Sequence, residues 1–153
     1  MNQTFFFATE AEAGPSTGRL PLRTEIAPEH QWNVSAMFAS NEEWEADFAR
    51  IDMLLEPLLC LRGALNSPSA LATLFEHETA LDRLLEKLYV YAHLRADENT
   101  ADAENQARMD RVRSRYAKIG GQLAWITPEI LANPMEVLEQ WRDSSELAPV
   151  RYA

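Results

Sequence analysis

Apolar residues recur at steps of three and four along most of the chain, which is the spacing of one face of a helix. Three stretches show it: Trp44, Phe48, Ile51, Leu55 and Leu58; then Leu74, Leu81, Leu84, Leu85, Leu88, Tyr91 and Leu94; then Met109, Val112, Tyr116, Ile119, Leu123 and Ile126. No stretch alternates apolar and polar residues between turn signals, as a half-buried strand would. The pattern therefore predicts an all-α protein, an antiparallel helical bundle of three long helices plus one or two short ones.

Capping residues predict where the long helices begin. Ser40 and Glu43 have the spacing of a capping box, in which each side chain satisfies a free backbone amide of the first turn. Ser67 followed by Pro68 combines a capping side chain with a proline at the first helical position. The second helix is expected to be the longest, and the third is expected to begin near Thr100.

Prolines and glycines predict interruptions. Pro57 falls inside the first apolar stretch, so we expect a kink or a break near residues 55–57. Gly120 and Gly121 weaken the third helix and favour a close crossing with a neighbouring helix. Thr127 before Pro128 predicts a further helix start. A last short helix, containing Met135, Val137, Leu138 and Trp141, is expected after an interruption at Asn133 and Pro134.

Composition limits the class of protein. With 153 residues, 46% of them hydrophobic and 25% charged, the chain has the size and make-up of one globular domain. Residues 1–28 are rich in glycine and proline, which predicts an irregular or disordered tail before a helical domain over residues 29–153. The net charge of -10 disfavours nucleic acid as a partner. With neither a signal peptide nor an apolar run long enough to cross a bilayer, we expect a cytoplasmic protein without a membrane partner.

Recognisable catalytic chemistry is missing. His77 and Glu78 begin like the zinc motif His-Glu-x-x-His, but Leu81 stands where the second histidine is needed. We therefore expect His77 to flank the buried stripe, with its polar edge hydrogen-bonded or solvated. Cys60 lies in an apolar run and is interpreted as a small buried hydrophobic residue. We assign no catalytic, cofactor-binding or metal-binding residue to this chain.

Two further groups of side chains are interpreted structurally. The basic residues of the third helix are expected to form a solvated face: Arg111, Arg113, Arg115 and Lys118. The large aromatic residues are expected to belong to the core rather than to a ligand platform: Trp32, Trp44, Tyr89, Tyr91, Tyr116, Trp125 and Trp141.

Four segments, taken in order, resemble the start of oligoendopeptidase F, a bacterial member of the thimet-type zinc oligopeptidases. They are residues 32–38, 44–63, 88–100 and 126–131, and the clearest is 88–100, LYVYAHLRADENT. Each is a pattern of packing and capping residues rather than a set of chemical ligands. The resemblance extends over roughly residues 22–152, which is nearly everything outside the N-terminal tail.

The resemblance implies that residues 29–153 are the N-terminal helical lobe of a larger α-helical peptidase, truncated at its C-terminal end. Such a lobe forms one wall of a channel for short peptides, and the zinc and the catalytic groups belong to a later domain. The implied partners are that missing domain and short peptides. We also expect the isolated fragment to self-associate and to be inactive alone. Arg95, Asp97, Tyr89 and Tyr91 are carried over as structural residues of the corner between the second and third helices, with channel lining as their alternative. The alternative for the whole chain is a self-standing helical interaction module without enzymatic activity.

Overall fold

The computed structural model describes residues 21–150, of which residues 21–31 belong to one unit and residues 32–150 to a second. The described part of the first unit contains two short 3-10 turns, Arg23–Glu25 and Pro28–His30. Residues 1–20 of the predicted tail lie outside the described residues. The second unit begins with a 3-10 turn at Val34–Ala36, which six α-helices follow. They are α1 Asn41–Ala49, α2 Ile51–Cys60, α3 Pro68–Glu98, α4 Ala103–Leu123, α5 Ile126–Leu131 and α6 Met135–Arg142.

The all-α prediction is confirmed, since residues 21–150 contain helices, turns and irregular segments but no strand. Ser40 caps α1 by accepting a hydrogen bond from the amide of Glu43. Ser67 caps α3 by accepting one from the amide of Ala70 at 3.2 Å. Asp102 caps α4 in the same way, so the third predicted helix begins at Ala103, slightly later than expected.

The break in the first predicted helix was placed wrongly. Helix α2 runs through Pro57 to Cys60, and the interruption lies at Arg50 instead. There the backbone amide of Arg50 bonds to the carbonyl of Asp47, three residues back rather than four, which tightens the chain into a single 3-10 turn. Proline removes one amide donor and crowds the carbonyl four residues earlier, but these local effects do not end α2, whose Ile51, Leu55 and Leu58 are buried in the core.

Helices α3 and α4 form the central hairpin. Helix α3 has 31 residues, so it extends about 46 Å at 1.5 Å per residue. It packs against α1, α2 and α4, while α2 also contacts α4. The connection at residues 99–102 is short, so α4 runs back antiparallel along α3.

The glycine pair of α4 does not mark a close helix crossing, contrary to the prediction. A Cβ atom added to Gly120 or Gly121 would meet no atom within 4 Å beyond the adjacent residues and the nearby backbone of α4 itself. Both glycines are exposed near the C-terminal end of α4. Glycine is poorly suited to a helix interior, and this helix ends at Leu123 rather than continuing to Ile126.

Helix α5 begins at Ile126 with Trp125 as its N-cap residue, so the predicted start at Thr127 and Pro128 is two positions late. Its Glu129 accepts hydrogen bonds from the backbone amides of Gly63 and Leu65, at 2.8 and 2.9 Å. Gly63 has a φ of +84°, a conformation that favours glycine over other residues. Helix α5 thereby fastens the turn between α2 and α3, and the predicted last helix, α6, follows Asn133 and Pro134 as expected.

The core follows the predicted stripes closely. Its largest fully buried side chains are those of Trp44, Ile51, Leu58, Leu65, Leu74, Leu81, Leu85, Leu88 and Val112. Tyr91 is buried as well, and Tyr89, Trp125 and Trp141 pack against the core. The assignment of all large aromatics to the core was wrong for two of them, because Trp32 is 78% exposed and Tyr116 is 38% exposed.

Candidate functional site

The first flank of α4, which we call the paired seam, consists of Arg111 and Arg115 with carboxylates of α1 and α2. The two terminal guanidinium nitrogens of Arg111, Nη1 and Nη2, donate to Glu45 at 2.6 and 2.8 Å. Arg115 donates to Asp52. The hydrogen bonds from Arg111 lower the pKa of the Glu45 carboxyl below its ordinary value, and those to Glu45 raise the pKa of Arg111.

Aromatic rings of α1 lie under the paired seam. Trp44 is completely buried, and its indole nitrogen donates to the carbonyl of Leu88 at 3.1 Å. Its ring stacks on Phe48 at a centroid distance of 4.9 Å. The guanidinium of Arg111 sits 5.3 Å from the Trp44 ring and 4.7 Å from that of Phe48, which is cation–π range.

Arg108 lies on the buried side of α4, four residues before the buried Val112, although its charge is typical of an exposed position. Its side chain is 4% exposed, and its guanidinium donates to Asn105 at 2.6 Å and to Glu104 at 2.7 Å. Glu104 also accepts from the side-chain amide of Asn41 at 3.0 Å, which ties α4 to the start of α1. Arginine is almost never buried unless it is paired, and the two hydrogen bonds to Asn105 and Glu104 meet that condition.

The second flank, which we call the open face, lies along the boundary of α3 and α4 and comprises Glu78, Asp82, Glu86, Tyr89 and Tyr116. The three carboxylates stand four residues apart on α3, so they share one side of the helix. The Tyr89 and Tyr116 rings meet edge to face at 5.8 Å and 80°. Within residues 21–150, none of the three carboxylates forms an ion pair.

The electrostatics of the open face are the reverse of those of the paired seam. Partial burial, followed by repulsion from Asp82, raises the pKa of Glu78. Partial burial, followed by repulsion from Glu86, raises the pKa of Asp82. Partial burial also raises the pKa of the Tyr116 phenol, with Asp82 and Glu86 adding to the effect. The open face is therefore a region of unneutralised negative charge with exposed aromatic surface.

The residues carried over to the helical corner occupy both buried and exposed positions. Tyr91 is buried, with its ring edge to face with Phe38 at 5.1 Å. Arg95 donates to Glu98 at 2.7 Å. Asp97 lies 2.8 Å from Nδ1 of His93 and is exposed. These contacts are local ones within α3 or with the turn before α1.

Two single-residue predictions have opposite outcomes. His77 is half-buried beside the stripe that contains the fully buried Leu74 and Leu81, as expected. Cys60 is exposed, so its assignment to the buried face was wrong. It follows the buried Leu58 by two residues, which places it about 200° around the helix from that position.

The basic residues of α4 divide into two groups. Arg113 and Lys118 are exposed, which confirms the predicted solvated face for them. Arg111 and Arg115 instead make the ion pairs of the paired seam. A surface groove of about 440 Å³ runs beside that seam, lined by Phe48, Asp110, Arg111, Ser114, Arg115 and Lys118.

Residues 21–150 contain no group of three or more His, Cys, Asp or Glu side chains placed to hold a metal ion. The helices of this described part also include none that is long and apolar enough to cross a membrane.

The fold of residues 21–150 is an all-helical unit. In a comparison with solved structures, it is similar to part of a candidate peptidase from Chlamydophila abortus, with a TM-score of 0.76 over 88% of this chain. The sequence identity is 24%, and the matched part is 23% of that protein. No family model matches the chain.

Curated relatives confirm the resemblance to oligoendopeptidase F. Oligopeptidase PepF of Bacillus subtilis is 30% identical over 126 residues, which are 80% of this chain and 18% of that protein. An oligoendopeptidase F homologue of Lactococcus lactis is 31% identical over 121 residues, 78% of this chain and 20% of that protein. The chain is thus related to oligoendopeptidase F over about four fifths of its length, and it spans about a fifth of the length of these relatives.

Proposed function

We propose that this chain is the N-terminal substrate-channel lobe of an oligoendopeptidase F-like zinc metallopeptidase that cleaves short peptides, with the catalytic domain outside this chain. The observation that carries the proposal is the match of about 30% identity to oligoendopeptidase F relatives over 80% of the chain. The match to only 18% of the relative's length supports a lobe rather than a whole enzyme.

The described residues support a structural role in that enzyme. They hold no metal-binding group, so zinc in the proposed enzyme would be held by residues of the catalytic domain. The central α3–α4 hairpin provides a long, firmly packed wall, since Leu81, Leu85 and Leu88 are all almost completely buried. A wall of this kind can line a channel without supplying a reacting group. The chain alone is expected to be inactive, and the proposed enzyme works in the cytoplasm.

A chimeric enzyme tests this function. The segment of Bacillus subtilis PepF that aligns with this chain is replaced by residues 22–150, and cleavage of an internally quenched peptide is measured alongside intact PepF. A chimera that retains at least a tenth of the parent's kcat/KM supports the proposal. A chimera that folds, by circular dichroism and gel filtration, but cleaves nothing contradicts it.

The genome provides an independent test. A reading frame that continues past the codon for Ala153 into a His-Glu-x-x-His motif supports the lobe. A stop codon there, together with a stable monomeric product and no separately encoded catalytic domain, favours the self-standing interaction module.

A further inference from the structure

A groove of about 470 Å³ lies between the first half of α3 and the last described segment of the chain. The apolar part of its lining consists of Ala72 and Ala80 of α3 together with Pro149 and Val150 of the 3-10 turn Ala148–Val150. We call it the terminal groove. It is formed by two segments that are distant in sequence and meet at the surface.

On α3, the terminal groove occupies the side opposite the core. Ala72 and Leu81 are nine residues apart, as are Thr79 and Leu88, and nine residues at about 100° each place two side chains about 180° apart around a helix. Leu81 and Leu88 are almost completely buried, whereas Thr79 is exposed. Helix α3 therefore has a second side with small residues, and small side chains allow the axis of a neighbouring helix to approach closely.

The chain leaves the described fold at the edge of the terminal groove. Leu147 is buried, and the amide of Val150 donates to its carbonyl at 3.0 Å, which closes the 3-10 turn. Val150 also packs against the hydrophobic core. Because these contacts fix Val150 beside the groove, the polypeptide that follows it begins at the edge of the groove.

Length decides how much polypeptide is needed to cover the groove. Ala72 and Arg83 both line it and are eleven residues apart on α3, so it extends about 16 Å along the helix. The three residues that follow Val150 in this chain span at most about 11 Å when fully extended, which is too short. The matched segments make up only 18% and 20% of the two oligopeptidase relatives, so an enzyme of that length has enough additional polypeptide.

Charged residues along the terminal groove specify the flanks of its occupant. Glu76 and Arg83 are exposed on α3, and neither forms an ion pair within residues 21–150. Glu146 lines the groove from the C-terminal segment. A covering helix that is apolar where it crosses Ala80 and carries charges of both signs on its flanks therefore matches this surface.

We propose that the terminal groove is a docking surface for an amphipathic helix in the polypeptide that follows this chain in the full-length enzyme. Apolar side chains of that helix pack on Ala72, Ala80 and Val150, and its flanking charges pair with Glu76 and Arg83. The inference rests on the proposed function, because it takes this chain as one lobe of a longer enzyme. It adds the place on the lobe at which the rest of the enzyme is attached.

The reactivity of a cysteine placed in the terminal groove tests the inference. Ala80→Cys is made in the full chain and in the chimera with Bacillus subtilis PepF, and both proteins are modified with a maleimide. The exposed Cys60 on α2 is the matched control within the same molecule. Trypsin cleavage after Arg62 separates the two thiols, so mass spectrometry gives each modification rate from its own peptide.

The measured quantity is the rate of the introduced thiol divided by the rate of Cys60. The two rates should be similar in the free chain, because positions 60 and 80 are both exposed. In the chimera the ratio should be about tenfold lower or less, since modification then requires the covering helix to open. The same ratio in both proteins would overturn the inference. A ratio that falls in the free chain when its concentration is raised about a hundredfold would assign the groove to a second copy and would also overturn it.

Intact PepF gives a second measurement that does not depend on the folding of the chimera. Cysteines are placed at the PepF residues that align with Ala80 and Cys60. The first should react about tenfold more slowly than the second, because in the intact enzyme the groove is covered. Equal rates would overturn the inference in the same way.

These experiments fail separately from the proposed function. A chimera that cleaves peptides while the introduced thiol stays as reactive as in the free chain would keep the channel lobe and remove the docking surface. Protection of the thiol in a chimera that is folded and inactive would do the opposite.

Discussion

Helix α4 has two flanks with different uses of charge. On the paired seam, Arg111 and Arg115 each meet a carboxylate from a neighbouring helix. On the open face, Asp82 and Glu86 stand near Tyr116 without an ion pair in the described structure. One flank therefore holds three helices together, whereas the other leaves its charge available to another molecule.

The difference teaches that charge type alone does not reveal the role of a surface. The arginines of α4 and the carboxylates of α3 are both ordinary solvated patterns when they are considered on single helices. Their roles separate only when the neighbouring helix is known: α1 and α2 bring carboxylates to the first flank, and α4 brings tyrosine to the second.

The largest expected loss of stability comes from substituting Trp44, one of the two aromatic residues that lie under the paired seam. Trp44→Ala should lower the free energy of unfolding by about 3–5 kcal/mol, because it empties a fully buried site and removes the hydrogen bond to Leu88. Tyr116→Ala on the open face should cost much less, since that ring is 38% exposed. Urea denaturation followed by circular dichroism measures both.

A conservative substitution divides the Trp44 effect into its parts. Trp44→Phe keeps much of the apolar volume but loses the indole donor, so its free energy of unfolding should lie between those of the wild type and Trp44→Ala. Comparable losses for Trp44→Ala and Tyr116→Ala would show that the two flanks do not differ as described.

The next largest loss of stability is expected from substituting Glu129, whose carboxylate accepts two hydrogen bonds. Glu129 accepts from the amides of Gly63 and Leu65, in contrast to Glu78, which has no ion pair in the described part. Glu129→Ala should cost about 1–3 kcal/mol, because it leaves backbone donors without their acceptor. Glu129→Gln keeps one acceptor oxygen and should cost less. Hydrogen exchange at Leu65 should accelerate in the alanine variant, and an unchanged rate would contradict the role of this contact.

Local patterns predicted much of the fold because capping and periodicity act within one helix. The starts at Ser40 and Ser67 and the buried positions of α3 follow from short-range rules. The break at Arg50 and the open space at Gly120 depend on how the helices pack. Tertiary contacts decide such features, and a single-helix pattern does not contain them.

The candidate site was less predictable for the same reason. The acidic stripe of α3 is visible in the sequence, but its lack of an ion-pair partner depends on which side chains α4 presents there. The fastening of the α2–α3 turn by Glu129 likewise needs contacts between residues far apart in sequence.

The ion pair of Arg111 and Glu45 should contribute a smaller, salt-dependent amount. Both side chains are about half exposed, so a double-mutant cycle with Arg111→Ala and Glu45→Ala should give a coupling of about 0.2–1 kcal/mol. The coupling should decrease at 1 M salt because of screening. Arg113→Ala is the matched control, as Arg113 is exposed on the same helix and outside the paired seam. A coupling that is absent at low salt would mean that the paired seam is stabilised by the packing of Trp44 and Phe48 alone.

The smallest effect distinguishes the two flanks by its sign. Glu78 has a folded-state pKa above its ordinary 4.5, so the folded protein binds this proton more tightly than the unfolded chain does. Its ionisation therefore lowers stability as pH rises through the interval from 4.5 to the raised pKa, and the penalty persists above it. Glu78→Gln should raise the free energy of unfolding at pH 7 by about 0.2–0.5 kcal/mol, an amount limited by solvent screening, and this gain should vanish below pH 4.5.

Glu45 on the paired seam has a lowered pKa, so Glu45→Gln should lower the free energy of unfolding at pH 7. The difference from the wild type should disappear as the pH falls below 4.5 through the folded-state pKa of Glu45. Denaturant unfolding at pH 7 and at pH 3.5 measures both variants, and changes of the same sign at pH 7 would refute the electrostatic contrast between the open face and the paired seam.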